Sequence, residues 1–279
     1  MRWCVSIGAA ILAGAWLGGD VAGLAAPGAM PQLAQKAGEA QVDVELVLAV
    51  DVSYSMDLEE LAIQREGYAQ AITSPDFLQA LKSGPHGKVA VTYFEWAAAN
   101  DQKVIIPWRV VDGPETADAV AAEIMKAPLR RASRTSISGA INYGMQLLGD
   151  NSYKGLRRVI DISGDGPNNN GEPVLIARDA ALEKGITING LPVMVKQASY
   201  ATMDIEQLDI YYEDCVIGGA GSFVVPIKER AKFKEAIRTK LVLEVAGRQP
   251  EGRPMPAQAK QPRIPCTIGE QLWRDRWGR

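Results

Sequence analysis

The chain has 279 residues, enough for one large domain or two small ones, and 47% of them are apolar, as in an ordinary globular core. A formal net charge of -3 speaks against general nucleic-acid binding, which calls for a basic surface. One histidine and three cysteines leave little from which to build the His/Cys sets that zinc prefers.

The first 25 residues read as a secretory signal peptide. Arg2 precedes an apolar run from Trp3 to Leu17, small residues fill Gly18 to Ala26, and Gly23 and Ala25 suit the -3 and -1 positions of a cleavage site. The run is shorter than the roughly 18 apolar residues of a membrane span. An exported protein, periplasmic or secreted and not membrane-spanning after cleavage, is therefore expected. Residues 26–41 form a flexible lead-in.

Val44 to Val50 is apolar and β-branched apart from Glu45, and too short for a helix, which predicts a strand buried on both faces. It ends in Asp51, with Ser53 and Ser55 following at alternate positions. Apolar spacing predicts a helix over Leu58–Thr73, with Asp57 and Glu60 as its capping pair. Ser83–Gly87 is a turn, Lys88–Trp96 a second buried strand, and Lys103–Val111 an edge strand because of Pro107. Helices are predicted over Pro114–Met125 and Ser136–Leu148, then a strand over Leu156–Ser163 and a turn-rich Gly164–Gly171. A helix over Pro173–Lys184, a strand over Ile186–Val193, a short helix over Asp204–Tyr212 capped by Asp204 and Gln207, a last strand over Ser222–Ile227 and a helix over Glu229–Val245 complete the series. From Gly247 the composition shifts to Pro, Gln and Arg. The tail, residues 248–279, ends in a short helix over Ile268–Trp277 carrying Trp273 and Trp277.

Strands alternating with helices predict an α/β fold: a doubly wound, mostly parallel sheet with helices on both faces and one antiparallel edge strand, spanning residues 42–247. In such a sheet Asp51, Ser53, Ser55, Thr135 and Asp165 fall at the ends of elements and converge on one edge, where ligands of open α/β sheets bind. Each has a simpler role open to it: the serines and Thr135 as helix caps, Asp165 as the shaper of an Asp-Gly turn. Taken together they are carboxylates and hydroxyls, hard oxygen donors suited to Mg²⁺ or Mn²⁺. Asp161, in the same strand as the approach to Asp165, is the competing acid; the strand should end before the acid, which favours Asp165.

The series D-x-S-x-S at Asp51, Ser53 and Ser55, then Thr135, then Asp165-Gly166 resembles the metal-ion-dependent adhesion site of von Willebrand factor type A domains. All five positions match in family order. The whole chain, from its leader to the cysteine before Ile268-Gly269-Glu270, is similar to an exported bacterial branch of that superfamily, a domain of unknown function. The resemblance implies a non-enzymatic binding module whose cation keeps one position for an acidic group of a protein or other anionic ligand. Arg134 stands where the family often has glycine. It and Tyr54 are the candidates to face that ligand.

Other readings remain. Gly164–Asn169 partly resembles the acidic turn of haloacid dehalogenase-type Mg²⁺ phosphatases, but Ser53 stands where their general acid is needed and Asn169 replaces a further acid. His86 is the only histidine a serine hydrolase could use, and no G-x-S-x-G elbow occurs. A structural scaffold with a vestigial metal site is the third. Finally, Cys4 departs with the leader, so Cys215 and Cys266 are an even pair in an oxidising compartment and are expected to form a disulfide, with free or intermolecular thiols as the alternative.

Overall fold

The computed structural model describes residues 40–196, 204–247 and 262–278. The expected signal peptide and most of the lead-in lie outside the described residues. The lead-in's last two residues do not: Ala40 and Gln41 already pair with Tyr153 and Lys154, so the first strand starts earlier than its apolar run.

Five strands, β1 (Ala40–Asp51), β2 (Val89–Trp96), β3 (Gln102–Val111), β4 (Tyr153–Gly164) and β5 (Thr187–Pro192), form one sheet in the order β3-β2-β1-β4-β5. β1 is parallel to β2 and β4, β4 is parallel to β5, and β3 pairs antiparallel to β2 at the edge. Pro107 sits where the β2–β3 register slips, between the pairs Val91–Arg109 and Tyr93–Ile106. A bulge on an edge strand is where a residue without an N–H is tolerated.

β1 feeds two cores because its side chains alternate. Val44, Leu46, Leu48 and Val50 face α1 (Leu58–Ile72), α2 (Pro75–Lys82), α3 (Pro114–Lys126) and α7 (Phe233–Ala246). Val47 and Ala49 face α4 (Ile137–Gly149), α5 (Val174–Glu183) and α6 (Leu208–Tyr211). α6 continues into a π-helical turn, Tyr212–Val216. The tail joins this second core through Ile264, Cys266 and the start of α8 (Ile268–Trp277). Among the described residues no helix is long and apolar enough to cross a membrane.

Three expectations need correction. The segment Ser222–Ile227 runs beside β5 but pairs with this part of the chain only through isolated bridges, Gly190–Val224 and Val193–Ile227, because Pro192 accepts from the Ile227 N–H but has no N–H of its own to continue the ladder. The short helix begins at Leu208, not Asp204, and Gln207 makes no side-chain cap bond. The long helix starts at Phe233, after a 3₁₀ turn over Arg230–Lys232.

Candidate metal centre

The β1–β4 register sets Val50 beside Ser163, which brings Asp51 level with Gly164 at the carboxyl edge. Here the strand order reverses: the chain runs outward from β1 to β3 on one side, then to β5 on the other. The helix caps are held by other residues. Asp57 accepts from the Glu60 N–H at the start of α1, and Ser136 accepts from the Gly139 N–H at the start of α4. Ser53, Ser55 and Thr135 are therefore not consumed as caps.

Four of the five expected residues form one hydrogen-bonded chain, with Thr135 set close to the Asp165 loop. The Ser53 N–H donates to Asp51 Oδ1 at 2.7 Å, the Ser53 and Ser55 hydroxyls share a bond of 2.8 Å, and the Ser55 hydroxyl donates to Asp165 Oδ1 at 2.6 Å. Thr135 enters from a third loop, and a Cβ placed on Gly166 would lie 4.0 Å from its Oγ1. Asp161 is elsewhere, buried against Lys240 of α7, which also pairs with Glu244.

The run Asn168-Asn169-Asn170, which sequence reasoning passed over as a turn, joins these loops. The Thr135 N–H donates to Asn169 Oδ1 at 3.0 Å and the Asn169 N–H returns to Thr135 O at 2.8 Å. Asn168 accepts from the Ser138 N–H, and Asn170 accepts from the Ala99 N–H. Three consecutive amides just past Gly164-Asp165-Gly166 were the signal available. Asn169→Ala leaves the Thr135 N–H without its partner and should cost about 1–3 kcal/mol. Urea unfolding measures it, and an unchanged midpoint would show that water replaces the amide.

Both carboxyls of the group are buried. Asp51 is fully buried and Asp165 nearly so. Burial, partly offset by the Ser53 N–H, pushes Asp51 up to about 7. Burial and then the Asp51 charge hold Asp165 well above the usual carboxylate range. Asp51 Oδ2 and Asp165 Oδ2 are buried without a hydrogen-bond partner. So is the Tyr212 hydroxyl, which burial and then Asp51 hold far from ionising. Gly164 is required between them: a Cβ there would stand 2.9 Å from Asp51 Oδ2 and 3.0 Å from the Tyr212 oxygen. Two adjacent carboxylates with unused oxygens, ringed by hydroxyls, are costly alone and fit a divalent cation that takes oxygen ligands. Among the described residues no group of three or more His, Cys, Asp or Glu suits a metal, so a site here draws on hydroxyls as well as carboxylates.

The rim is basic and aromatic. Tyr54 is 60% exposed beneath the Arg131 guanidinium, 5.3 Å from its ring centre. Arg134 has φ 77°, a left-handed conformation costing a residue with a Cβ about 1–2 kcal/mol. Its guanidinium lies 3.1 Å from the ring centre of Trp273 on α8. α8 reaches this position because Cys215 and Cys266 are disulfide-bonded and because Asn168 Nδ2 donates to Glu270 Oε1 at 2.7 Å. On the other side of Asp165 a cleft of about 480 Å³ is lined by Glu60, Val193, Lys196, Asp204, Ile205 and Leu208.

The model of the family described as Protein of unknown function (DUF1194) matches residues 41–249. The chain belongs to that family. No curated protein matches this DUF1194 chain. Solved structures do. It is similar to proximal thread matrix protein 1 from the mussel byssus, at 14% identity and a TM-score of 0.52 over 75% of this chain and 49% of that one. It is similar to the pilus adhesin SpaC of Lactobacillus rhamnosus GG, at 11% and 0.54 over 75% and 31%. It is also similar to a von Willebrand factor type A protein of Catenulispora acidiphila, at 14% and 0.50 over 75% and 43%. The DUF1194 chain thus has the von Willebrand factor type A fold, and it spans less than half the length of each of these structures.

Proposed function

We propose that the protein is an exported, non-enzymatic binding module, with a domain over residues 42–247 that holds a divalent cation of the Mg²⁺ or Mn²⁺ type. Asp51, Ser53, Ser55, Thr135 and Asp165 would hold it. When bound, the cation supplies an electrophilic position for a carboxylate of a protein or other anionic partner. The observation that carries this reading is the pair of buried carboxylates, each with an unpartnered oxygen, set among hydroxyls at the switch point of the sheet.

Two comparisons support it. The mussel byssus protein is known with a zinc-occupied metal-ion-dependent adhesion site, at 13% identity and a TM-score of 0.50 over 75% of this chain and 49% of that one. SpaC is a pilus adhesin. Against a phosphatase, Ser53 stands two residues beyond Asp51, and a hydroxyl does not serve as general acid near neutral pH.

Thermal melts with Mg²⁺, Mn²⁺ or Zn²⁺, each reversed by chelator, test the reading. A ligand bound only by the native state at a hundred times its Kd stabilises by about 2.7 kcal/mol. A clear rise in melting temperature with at least one cation is expected. No response to any of them would leave a scaffold with a vestigial site.

A further inference from the structure

We propose that the C-terminal tail is part of the ligand-reading face: Trp273 holds the Arg134 guanidinium as a second anion-binding group beside the candidate cation, so that the site selects ligands with two neighbouring carboxylates, as adjacent acidic residues of a peptide present. This rests on the metal-site reading above.

Arg134 immediately precedes Thr135, and among the described residues it is the only one other than glycine with positive φ. Backbone strain of this kind persists where surrounding contacts over-determine it. The contact here is the stack on Trp273. Neighbouring arginines are already engaged: Arg130 with Glu95 and Asp101, Arg131 with the Tyr54 carbonyl. Among the described residues the Arg134 guanidinium makes no hydrogen bond and no ion pair. A guanidinium stacked by its face keeps its edge donors, and that planar fork matches a carboxylate with two parallel bonds.

Trp273 is fixed from two directions. The disulfide ties the tail to the π-helical turn, and Gly269 packs so closely on the loop beyond Asp165 that a Cβ there would come 2.1 Å from Asn168 O. The Asp165 loop, Arg134 and the tail are therefore one assembly. A cation at the carboxylates would take one acidic group of a ligand, and the Arg134 fork would take the next.

The test uses the mature full-length protein, saturated with Mn²⁺, and two C-terminally amidated peptides carrying a carboxylate-free fluorophore at the N-terminus, Gly-Asp-Asp-Gly and Gly-Asp-Asn-Gly. Wild type should bind the di-acid roughly tenfold more tightly, the scale of one charge-assisted contact. Arg134→Gln and Trp273→Ala should erase that preference while keeping the Mn²⁺-dependent melting shift, and Trp273→Phe should retain most of it. Arg134→Gly should lose the preference yet melt no lower than wild type, because glycine relieves the left-handed strain. A normal Mn²⁺ shift with equal affinity for both peptides, or with binding of neither, overturns this proposal alone. Preference surviving Arg134→Gln overturns it too. Absence of a wild-type shift with Mn²⁺, Mg²⁺ and Zn²⁺ alike brings down the metal reading and this proposal with it; where only Mg²⁺ or Zn²⁺ shifts the melt, the same peptides and variants are read with that cation.

Discussion

Asp51→Asn is expected to abolish the metal-dependent rise in melting temperature while leaving the metal-free protein at least as stable as wild type. The carboxyl is wholly buried beside Asp165, and burial moves it from the ordinary 3.8 to about 7. An isosteric amide removes a charge that has no cation to compensate it and can still accept the Ser53 N–H. Asp51→Ala differs, because that buried N–H then loses its acceptor at a cost of about 1–3 kcal/mol. Asp161→Asn is the matched control: its partners are Lys240 and Glu244, so the metal response should persist.

The same pKa gives a pH signature. A carboxyl with its folded pKa raised is protonated in the native state between pH 3.8 and about 7 while the unfolded chain is ionised. Its contribution to metal-free stability is therefore present at low pH and is lost as pH rises toward about 7. Cation and proton compete for the same oxygens, so apparent metal affinity should rise with pH, by about tenfold per pH unit for each proton displaced. Melts with and without Mn²⁺ at several pH values between 5.5 and 8.5 measure this. A pH-independent shift, or a wild-type response from Asp51→Asn, would remove Asp51 from the site.

The parts legible in the sequence were those set by local pattern. The apolar run before Asp51, its polar break and the alternation of strands and helices specify a doubly wound sheet, and that topology brings residues 84 positions apart, such as Asp51 and Thr135, to one edge. α2 falls between Thr73 and Ser83, where no element was expected, although Ser74 caps the helix and Pro75 opens it. Tertiary features left little local trace. Nothing near Tyr212 announces that its hydroxyl is buried beside Asp51, because that depends on a π-helical turn across the sheet. The role of Arg134 depends on a tryptophan 139 positions further on. Asp165 lies just past the end of β4, as the expected strand end implied, whereas the partners of the two acids are tertiary: Asp161 meets Lys240 on α7 and Asp165 the Ser55 hydroxyl.

Cys215→Ala/Cys266→Ala should lower stability by about 4 kcal/mol, the chain-entropy value for a loop closed over a separation of 51 residues. At roughly 2–4 °C per kcal/mol for a domain of this size, the melting temperature should fall by about 10 °C. The loss has a place as well as a size. Cys215 and Cys266 are both buried in the second core beside Ile264, and the bond draws α8 onto the loop that carries Asp165. Without it, Asn168 keeps its bond to the Glu172 carbonyl but holds Glu270 only through the free energy of tail docking. The bonds joining Asp51, Ser53, Ser55 and Asp165 involve no tail residue, so the metal-dependent shift should survive in the double variant. What should disappear is discrimination between the di-acid and mono-acid peptides, since Arg134 would lose Trp273. Wild type under strong reductant should behave like the double variant, and peptide mapping without reductant should recover the two cysteines linked. Full stability and unaltered discrimination in the double variant would mean that packing alone holds the tail and that the disulfide contributes nothing to the face it closes.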